Sequence, residues 1–443
     1  MKNLLFIVLF IPLVSLSQVG FEYILEDTID SKCYSSFMDD QGYIVSLGTI
    51  YNPTSDLYDA LILKYQDSSD VLEKKFNPGG MNCGFWFGSQ KENGNYFLIG
   101  LTWEPYFSLY FAEVDQELEL VQETYYQVQF DYHWINVQES FEDENNTIIL
   151  TGALYNEIYQ QLGMFVTRVN KNGEVLKTTI ITDLYCNSGI EFIKKLDGSG
   201  YYLIGTSQED IIIFDNDLDV VDYQFYPVGS VFNTPLALRW LPDGNIMVAN
   251  MINQGVPGAY YDIRLRIVDE GFNTIKDTTF FDEGKNWPAD LSSLDYIDPD
   301  NIWVVSQEKS WKSSKDEWEH ARVYIVDSEL NVKGAKYFAG ELEVYLFSTK
   351  VLEDGSCIIT GMVPKAGKPT DYNAYIRKIM LDDVLTAAEE TVAEDDSDVL
   401  LYPVPFEKRL NIETYRKNLS LSIFNENGIC IIEKQALQIP YTY

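Results

Sequence analysis

The strongest constraint on the fold is a short motif that recurs seven times along the chain. Each copy is a polar turn, commonly containing Asp, Asn or Gly, followed by a short apolar strand that usually ends in a small residue. The closing residues lie 44 to 57 residues apart, at Gly48, Gly100, Gly152, Gly205, Ala249, Ser306 and Gly361. A period of this length holds four short strands per repeat, which is typical of a β-propeller. The sequence therefore predicts an all-β fold of seven four-stranded blades, with six or eight blades as alternatives.

The two ends of the repeat region predict how the ring closes. The seventh repeat lacks an obvious fourth strand after Leu381, whereas the segment from Phe21 to Leu25 has the pattern of a strand before the first repeat. We expect this N-terminal strand to complete the last blade, because such pairing hides sheet edges that would otherwise invite aggregation. The propeller is predicted to span residues 18–385.

The first residues have the layout of an export signal. Lys2 is followed by the apolar stretch from Leu4 to Val14 and by the small residues Ser15 and Ser17. This pattern predicts a signal peptide over residues 1–17 and a secreted or cell-surface protein that passes through the periplasm. The apolar run is too short to span a bilayer, so no integral membrane segment is expected.

The composition changes abruptly after Leu385. Residues 386–398 are an acidic linker, and residues 399–443 carry a spaced motif composed of Tyr402, Pro403, Pro405, Phe406, Leu410, Asn411 and Gly428. This tail resembles the C-terminal sorting domain of the type IX secretion system of Bacteroidetes, and the rest of the chain resembles the broad class of secreted Bacteroidetes propellers. The resemblance implies a small β-sandwich that the secretion machinery recognises. Val404 stands where that family usually has Asn, and the chain stops before the family's final strands, so the module is expected to be incomplete.

Charge and motif content exclude several functions. The chain has 68 acidic and 32 basic residues, and its net charge of −36 repels nucleic acids. It has only two histidines, His133 and His320, and no nucleophile elbow, so neither a catalytic triad nor a zinc site is expected. The run from Asp215 to Asp219 superficially suggests a calcium loop, but it lacks the required Gly and Glu, and a turn is favoured. No metal or cofactor is predicted, and the sequence does not favour an enzyme.

Two cysteines lie at similar points of successive repeats. Cys33 and Cys83 could form a bridge between neighbouring blades, but two buried free thiols are the favoured interpretation.

Aromatic residues make up 14% of the chain, with 31 Tyr and 8 Trp, and many fall in segments predicted to be loops on one propeller face. The candidate ligand-binding residues are Tyr51, Tyr58, Trp103, Tyr106, Trp134, Tyr155, Tyr260, Trp287, Trp311 and Trp318. The leading hypothesis is a binding module for a glycan or a surface protein, since amphipathic rings suit both. The alternative is that these rings are core residues that fill the space between neighbouring blades.

Two other functions stay open. One is an extracellular polysaccharide-degrading enzyme that uses carboxylates in the central channel, for which Glu191 on a predicted inner strand is the residue to inspect. The other is a scaffold without a small ligand.

Overall fold

The structure is a computed structural model. It describes residues 20–25, 30–67, 70–103, 107–128, 134–143, 146–156, 161–182, 191–205, 210–224, 233–253, 261–280, 285–309, 318–338, 344–365, 368–385, 399–402, 411–414, 419–424 and 430–437. The chain divides into two compact units, Met1–Ala387 and Ala388–Tyr443. The signal-peptide and linker predictions, residues 1–17 and 386–398, lie outside the described residues.

The first unit is a propeller of seven antiparallel sheets, which confirms the predicted fold class and blade number. The N-terminal strand is β1 (Phe21–Ile24). The first blade has β2 (Ser31–Met38), β3 (Ile44–Asn52), β4 (Leu57–Tyr65) and β5 (Leu72–Phe76). The second blade has β6 (Asn82–Gln90), β7 (Tyr96–Trp103), β8 (Ser108–Val114) and β9 (Leu120–Tyr126). The third blade has β10 (Trp134–Asp143), β11 (Thr147–Asn156), β12 (Gln161–Asn170) and β13 (Val175–Ile181). The fourth blade has β14 (Glu191–Lys194), β15 (Gly200–Gly205), β16 (Asp210–Asp215) and β17 (Val220–Gln224).

The remaining three blades follow in chain order. The fifth blade has β18 (Asn233–Trp240), β19 (Ile246–Asn253), β20 (Tyr261–Val268) and β21 (Thr274–Phe280). The sixth blade has an inner strand in two pieces, β22 (Lys285–Pro288) and β23 (Leu294–Asp295), then β24 (Ile302–Lys309), β25 (Trp318–Val326) and β26 (Val332–Phe338). The seventh blade has β27 (Tyr345–Val351), β28 (Cys357–Lys365) and β29 (Lys368–Ile379). Helical structure in the described residues is limited to a short 3-10 turn at Pro78–Gly80 and α1 (Leu381–Leu385).

The N-terminal strand closes the ring as predicted. Strand β1 pairs antiparallel with β29, and the seventh sheet has the order β1-β29-β28-β27. The ends of the propeller therefore meet in one blade, which protects the edge of β29.

Burial within a blade explains the sequence pattern that marks its middle strands. Strands β3 and β4 are buried on both faces along most of their length, so they are nearly continuous apolar runs. The outer strand β9 is largely exposed and mixes Leu and Val with Gln and Glu.

A recurring turn joins the third and fourth strands. The Oδ1 atom of Asp215 accepts hydrogen bonds from the backbone amides of Asp217 (3.0 Å) and Asp219 (2.9 Å). Leu218 in this turn has a positive φ of 62°, and its side chain is fully buried. Asp115 and Asp327 bond the amides two and four residues further on in the same way. The acidic run is thus a side-chain-capped turn, as the sequence favoured.

Cys33, Cys83 and Cys357 are free and buried. Burial raises the pKa of the Cys33 and Cys83 thiols to about 12. The favoured interpretation of two free thiols is confirmed.

The described residues of the second unit form two hairpin-like pairs. Strand β30 (Val399–Tyr402) pairs with β31 (Asn411–Thr414), and β32 (Leu419–Phe424) pairs with β33 (Cys430–Leu437). Two sorting-motif residues fall in strands, since Tyr402 ends β30 and Asn411 begins β31. The others lie outside the described residues: Pro403, Pro405, Phe406, Leu410 and Gly428. None of the helices in the described residues is long and apolar enough to cross a membrane.

Candidate functional site

The structure places the predicted aromatic residues mainly at strand ends. Tyr51, Tyr58, Trp103 and Tyr155 lie in β3, β4, β7 and β11, respectively. Trp134, Trp287 and Trp318 lie in β10, β22 and β25, so all seven described candidates lie in strands rather than in the predicted loops. Three others lie outside the described residues: Tyr106, Tyr260 and Trp311.

Three of these residues come together. The rings of Tyr51 and Tyr58 are 5.4 Å apart, and those of Tyr58 and Trp103 are 6.2 Å apart. All three side chains are half-buried. The Tyr58 hydroxyl donates to Oδ2 of Asp30 at 2.8 Å, and the Tyr51 hydroxyl donates to Asp56. Burial and the Asp30 carboxylate raise the pKa of Tyr58.

Repeated bulges in the inner strands extend this group toward the propeller axis. The pairing register slips between Cys33 and Ser35, between Phe85 and Phe87, and between Leu346 and Ser348. Each slip leaves one extra residue on the inner strand. These three residues all carry aromatic rings: Tyr34, Trp86 and Phe347.

The bulge residues continue the predicted group without a break. Trp86 lies 6.1 Å from the Trp103 ring and stacks on Tyr34 at 4.5 Å with an interplanar angle of 8°. Tyr34 in turn lies 5.0 Å from Phe347. We call the six residues Tyr51, Tyr58, Trp103, Trp86, Tyr34 and Phe347 the aromatic row; it crosses the second, first and seventh blades. The sequence identified half of it, because a bulge leaves no mark in the alternation of apolar and polar residues.

A second candidate site lies in the central channel. A cavity of about 760 Å³ is lined by inner-strand residues that include Glu139, Glu191, Arg239, Asp295 and Lys350. Its lining continues to the ends of these strands, beside the Asp-Gly turns.

Strand register explains why these charges meet. Glu139 pairs with Thr151 and Glu191 with Ile204, each one residue before the closing Gly of its repeat, so the two acids occupy equivalent positions on adjacent blades. Counted from the closing residue in the same way, Arg239 sits one position further along its inner strand, and Asp295 and Lys350 sit two positions further.

Arg239 connects two carboxylates. Its Nη1 donates to Oε2 of Glu191 at 3.3 Å and its Nε to Oδ1 of Asp295 at 3.4 Å. The other oxygen of Asp295 lies 3.2 Å from Nζ of Lys350 and accepts the amide of Val351 at 2.9 Å. Burial opposes ionisation of Asp295, but Arg239 and Lys350 outweigh it and lower the pKa of this carboxyl. Asp295 is therefore an ionised and fully engaged carboxylate.

Glu139 and Glu191 are close enough for a hydrogen bond between their carboxyl groups, which requires one of the two to be protonated. Burial raises the pKa of Glu191 to about 7, although Arg239 and Glu139 offset part of that effect. Burial and the Glu191 charge raise the pKa of Glu139 well above its usual value, so Glu139 is the protonated partner. The buried Oε1 of Glu191 accepts no hydrogen bond from an N–H or hydroxyl group of the described chain.

The sequence singled out Glu191 but not the other four charged residues. Their identity as channel residues depends on which strand of each repeat is innermost and on its register. The inner strand of the third repeat has no distinctive motif, so Glu139 gave no local signal.

No protein-family model matches the chain, and no curated protein matches it. Solved structures share its fold. A puromycin hydrolase aligns with a TM-score of 0.53 at 12% identity. The alignment covers 92% of this chain and 60% of the hydrolase chain. A protein of unknown function from Dyadobacter fermentans aligns with a TM-score of 0.45 at 10% identity, over 81% of this chain and 98% of that one. An α-L-arabinofuranosidase from Fusarium graminearum aligns with a TM-score of 0.44 at 10% identity, over 83% and 98%. At these identities the likeness shows the fold alone.

Proposed function

We propose that this protein is an exported binding module that recognises a glycan through the aromatic row. The observation that carries the proposal is the unbroken contact of six rings from three blades. Five of the six side chains are half-buried and keep an accessible part, whereas Phe347 is buried and supports the inner end of the row. If these rings only filled the space between neighbouring blades, all six side chains would be buried.

The chemistry of the row suits a sugar chain. Aromatic rings offer apolar faces to the C–H faces of sugars, and Tyr and Trp add polar groups at their edges. Asp30 and Asp56 accept hydrogen bonds from the row's Tyr hydroxyls and lie beside it as acceptors for sugar hydroxyls. A series of adjacent rings fits several sugar units better than a single small molecule.

The geometry of the channel carboxyls supports polysaccharide hydrolysis less well than the aromatic row supports glycan binding. Glycosidases hold their two carboxyls about 5–9.5 Å apart, so that a sugar and often a water fit between them. Glu139 and Glu191 are at hydrogen-bonding contact, which is too close for this arrangement. Asp295 is engaged by Arg239, Lys350 and the Val351 amide, which leaves it a weak nucleophile or base.

Export through the type IX secretion machinery belongs to the same proposal. It is supported by the signal-peptide pattern over residues 1–17 and by the sorting motif in residues 399–443. The test is to follow the full chain and a chain lacking residues 399–443 in a type IX-competent host. Retention of the shortened chain in the periplasm supports the proposal, and equal release of both contradicts it.

A polysaccharide panel tests recognition directly. The full chain is titrated with neutral and acidic polysaccharides while binding and release of reducing ends are both measured. Trp103→Ala should weaken binding at least about tenfold, because it removes a ring that contacts both Tyr58 and Trp86. Tyr223→Ala, which removes an exposed ring on β17, is the control and should bind as the wild type does.

Two outcomes oppose the proposal. If Trp103→Ala and Tyr223→Ala bind every polysaccharide equally well, the row is not the binding site. Release of reducing ends would show that the protein hydrolyses the polysaccharide, and the channel carboxyls would then be the candidate catalytic groups.

A further inference from the structure

We propose that the contact between Glu139 and Glu191 is a receptor for a ligand's alkylammonium or alkylguanidinium group, which enters through the channel cavity. This site is separate from the aromatic row and does not depend on glycan binding.

The order of charges around the channel indicates the missing partner. From the third blade to the seventh, the inner strands contribute Glu139, Glu191, Arg239, Asp295 and Lys350. From Glu191 onward, each charge contacts an opposite charge on the next blade, at 3.3, 3.4 and 3.2 Å. Only the first pair consists of two carboxyls. A cation between Glu139 and Glu191 would complete the alternation.

An unsatisfied atom marks the same place. Glu191 is 2% exposed, and one of its oxygens is held by Arg239. Its other oxygen, Oε1, is buried and accepts no hydrogen bond from an N–H or hydroxyl group of the described residues. The Glu139 proton is the donor that serves the pair at present; once it leaves, a buried carboxylate oxygen without a donor is costly, and a ligand N–H would remove that cost.

The cavity gives such a ligand room and an entry route. Its volume of about 760 Å³ is in the range of small-molecule sites. Glu142 and Glu353 lie in its lining at the ends of the inner strands, near the Asp-Gly turns; Glu142 is paired with Lys171, whereas Glu353 is exposed. The net charge of −36 attracts cations to the protein as a whole, and Glu353 adds little to this attraction because salt screens an exposed charge.

The donor set fits an organic cation better than a metal ion. Calcium takes six to eight oxygen ligands and magnesium about six in octahedral geometry. Glu139 and Glu191 together offer four carboxyl oxygens, one of which is already held by Arg239. An ammonium or guanidinium group needs only a few acceptors in hydrogen-bonding positions.

Binding must displace the proton that the two acids now share. The ammonium ion and the Glu139 carboxylic acid become an ammonium–carboxylate pair, and one H⁺ leaves to solvent, so charge and atoms balance. The charged groups around the pair are Arg239, Asp295 and Lys350, with Glu142, Lys194 and Glu353 nearer the strand ends. Affinity should therefore rise about tenfold for each pH unit over the range in which one proton is released.

The test is isothermal titration calorimetry on the full chain with n-butylammonium and n-butylguanidinium as probes. Titrations near pH 8, in buffers of different ionisation enthalpy, should report about one proton released per ligand; near pH 6, where Glu191 is largely protonated as well, more than one proton should be released. A calcium chloride titration is run in parallel. Salt near physiological strength screens weak attraction to the acidic surface.

Glu139→Gln is the decisive variant, because its neutral amide replaces a neutral carboxylic acid and should leave the fold intact. We expect it to weaken binding of both probes at least about tenfold and to abolish proton release near pH 8. Glu353→Gln is the matched control and should change affinity less than about threefold. The proposal is overturned if neither probe binds, if both variants lose affinity equally, if Glu139→Gln binds normally, or if calcium binds with the same dependence on Glu139.

Discussion

The hydroxyl of Tyr96 donates a 2.6 Å hydrogen bond to Oδ2 of Asp39, which joins the second blade to the first. Asp39 is only 5% exposed, and Nζ of Lys64 lies 3.8 Å from the same carboxylate. The link is repeated between the fourth and third blades, where Tyr201 donates to Asp143 at 2.6 Å. These buried Tyr–Asp pairs fix neighbouring blades at the turn end of the ring.

Removing the Tyr96 hydroxyl should therefore destabilise the propeller. Tyr96→Phe removes the hydrogen bond to the buried Oδ2 of Asp39, whose Oδ1 still accepts the amides of Gln41 and Tyr43, and we expect the free energy of unfolding to fall by about 1.5–3 kcal/mol. Tyr201→Phe should have a similar effect. Urea unfolding measures both, with Tyr223→Phe on an exposed strand as the control. An unchanged midpoint for both buried variants would show that blade contacts do not depend on these bonds.

The local features of this fold, half of the aromatic row and Glu191 could be predicted from sequence, whereas the rest of the two sites could not. Turn residues such as Asp215 and closing residues such as Gly48 carry their conformational preference within a few positions, so repeats and ring closure were predictable. The part of the aromatic row on the inner strands depends on bulges at Tyr34 and Trp86. A bulge is defined only by the pairing of two strands, so it cannot be identified from one strand's sequence. The contact of Glu139 with Glu191 joins residues 52 positions apart and depends on the register of two blades.

The turn at Asp215 provides a second prediction. Asp215→Ala removes the acceptor for two backbone amides and should cost about 0.5–2 kcal/mol of stability, as the loss of a side-chain cap does in helices. Asp217→Ala, in the same turn, is the control and should change stability by less than about 0.5 kcal/mol. Both are measured by urea unfolding, with and without added calcium. Stabilisation of the wild type by calcium that is lost in Asp215→Ala would contradict a pure turn role.

The thiols provide a third prediction. Because Cys33 and Cys83 are buried and their pKa values are raised to about 12, they should not react with a thiol reagent in the native protein at neutral pH. After unfolding without a reducing agent, both should react fully. Mass spectrometry of the labelled peptides measures this. A Cys33–Cys83 disulfide peptide recovered from the unreduced protein would refute the assignment.

Protonation of Glu191 should make stability depend on pH. The folded state raises the pKa of Glu191 from 4.5 to about 7, so the folded protein holds this proton more tightly than the unfolded chain. This contribution is complete below about pH 4.5 and is lost as the pH rises through about 7. Between about pH 5 and pH 8, the wild type should lose about 1–3 kcal/mol relative to Glu191→Gln.

Urea unfolding across this pH range measures that difference. Glu353→Gln removes an exposed carboxylate from the cavity lining and serves as the control, with a pH dependence parallel to the wild type. Parallel curves for the wild type and Glu191→Gln would mean that Glu191 stays ionised throughout.

The N-terminal strand should be required for a stable ring. Leu25 is 7% exposed and its amide donates to the Ala374 carbonyl at 3.0 Å, and Ile24 packs against the core of the last two blades. Deleting residues 1–25 removes these contacts and exposes the edge of β29, so we expect a loss of about 3 kcal/mol or more and a tendency to aggregate. Deleting residues 1–17 should leave stability unchanged. A synthetic peptide of residues 18–30, added in excess, should restore thermal stability to the longer deletion by adding a strand to β29. Equal melting temperatures for the two deletions would show that the ring does not depend on β1 for closure.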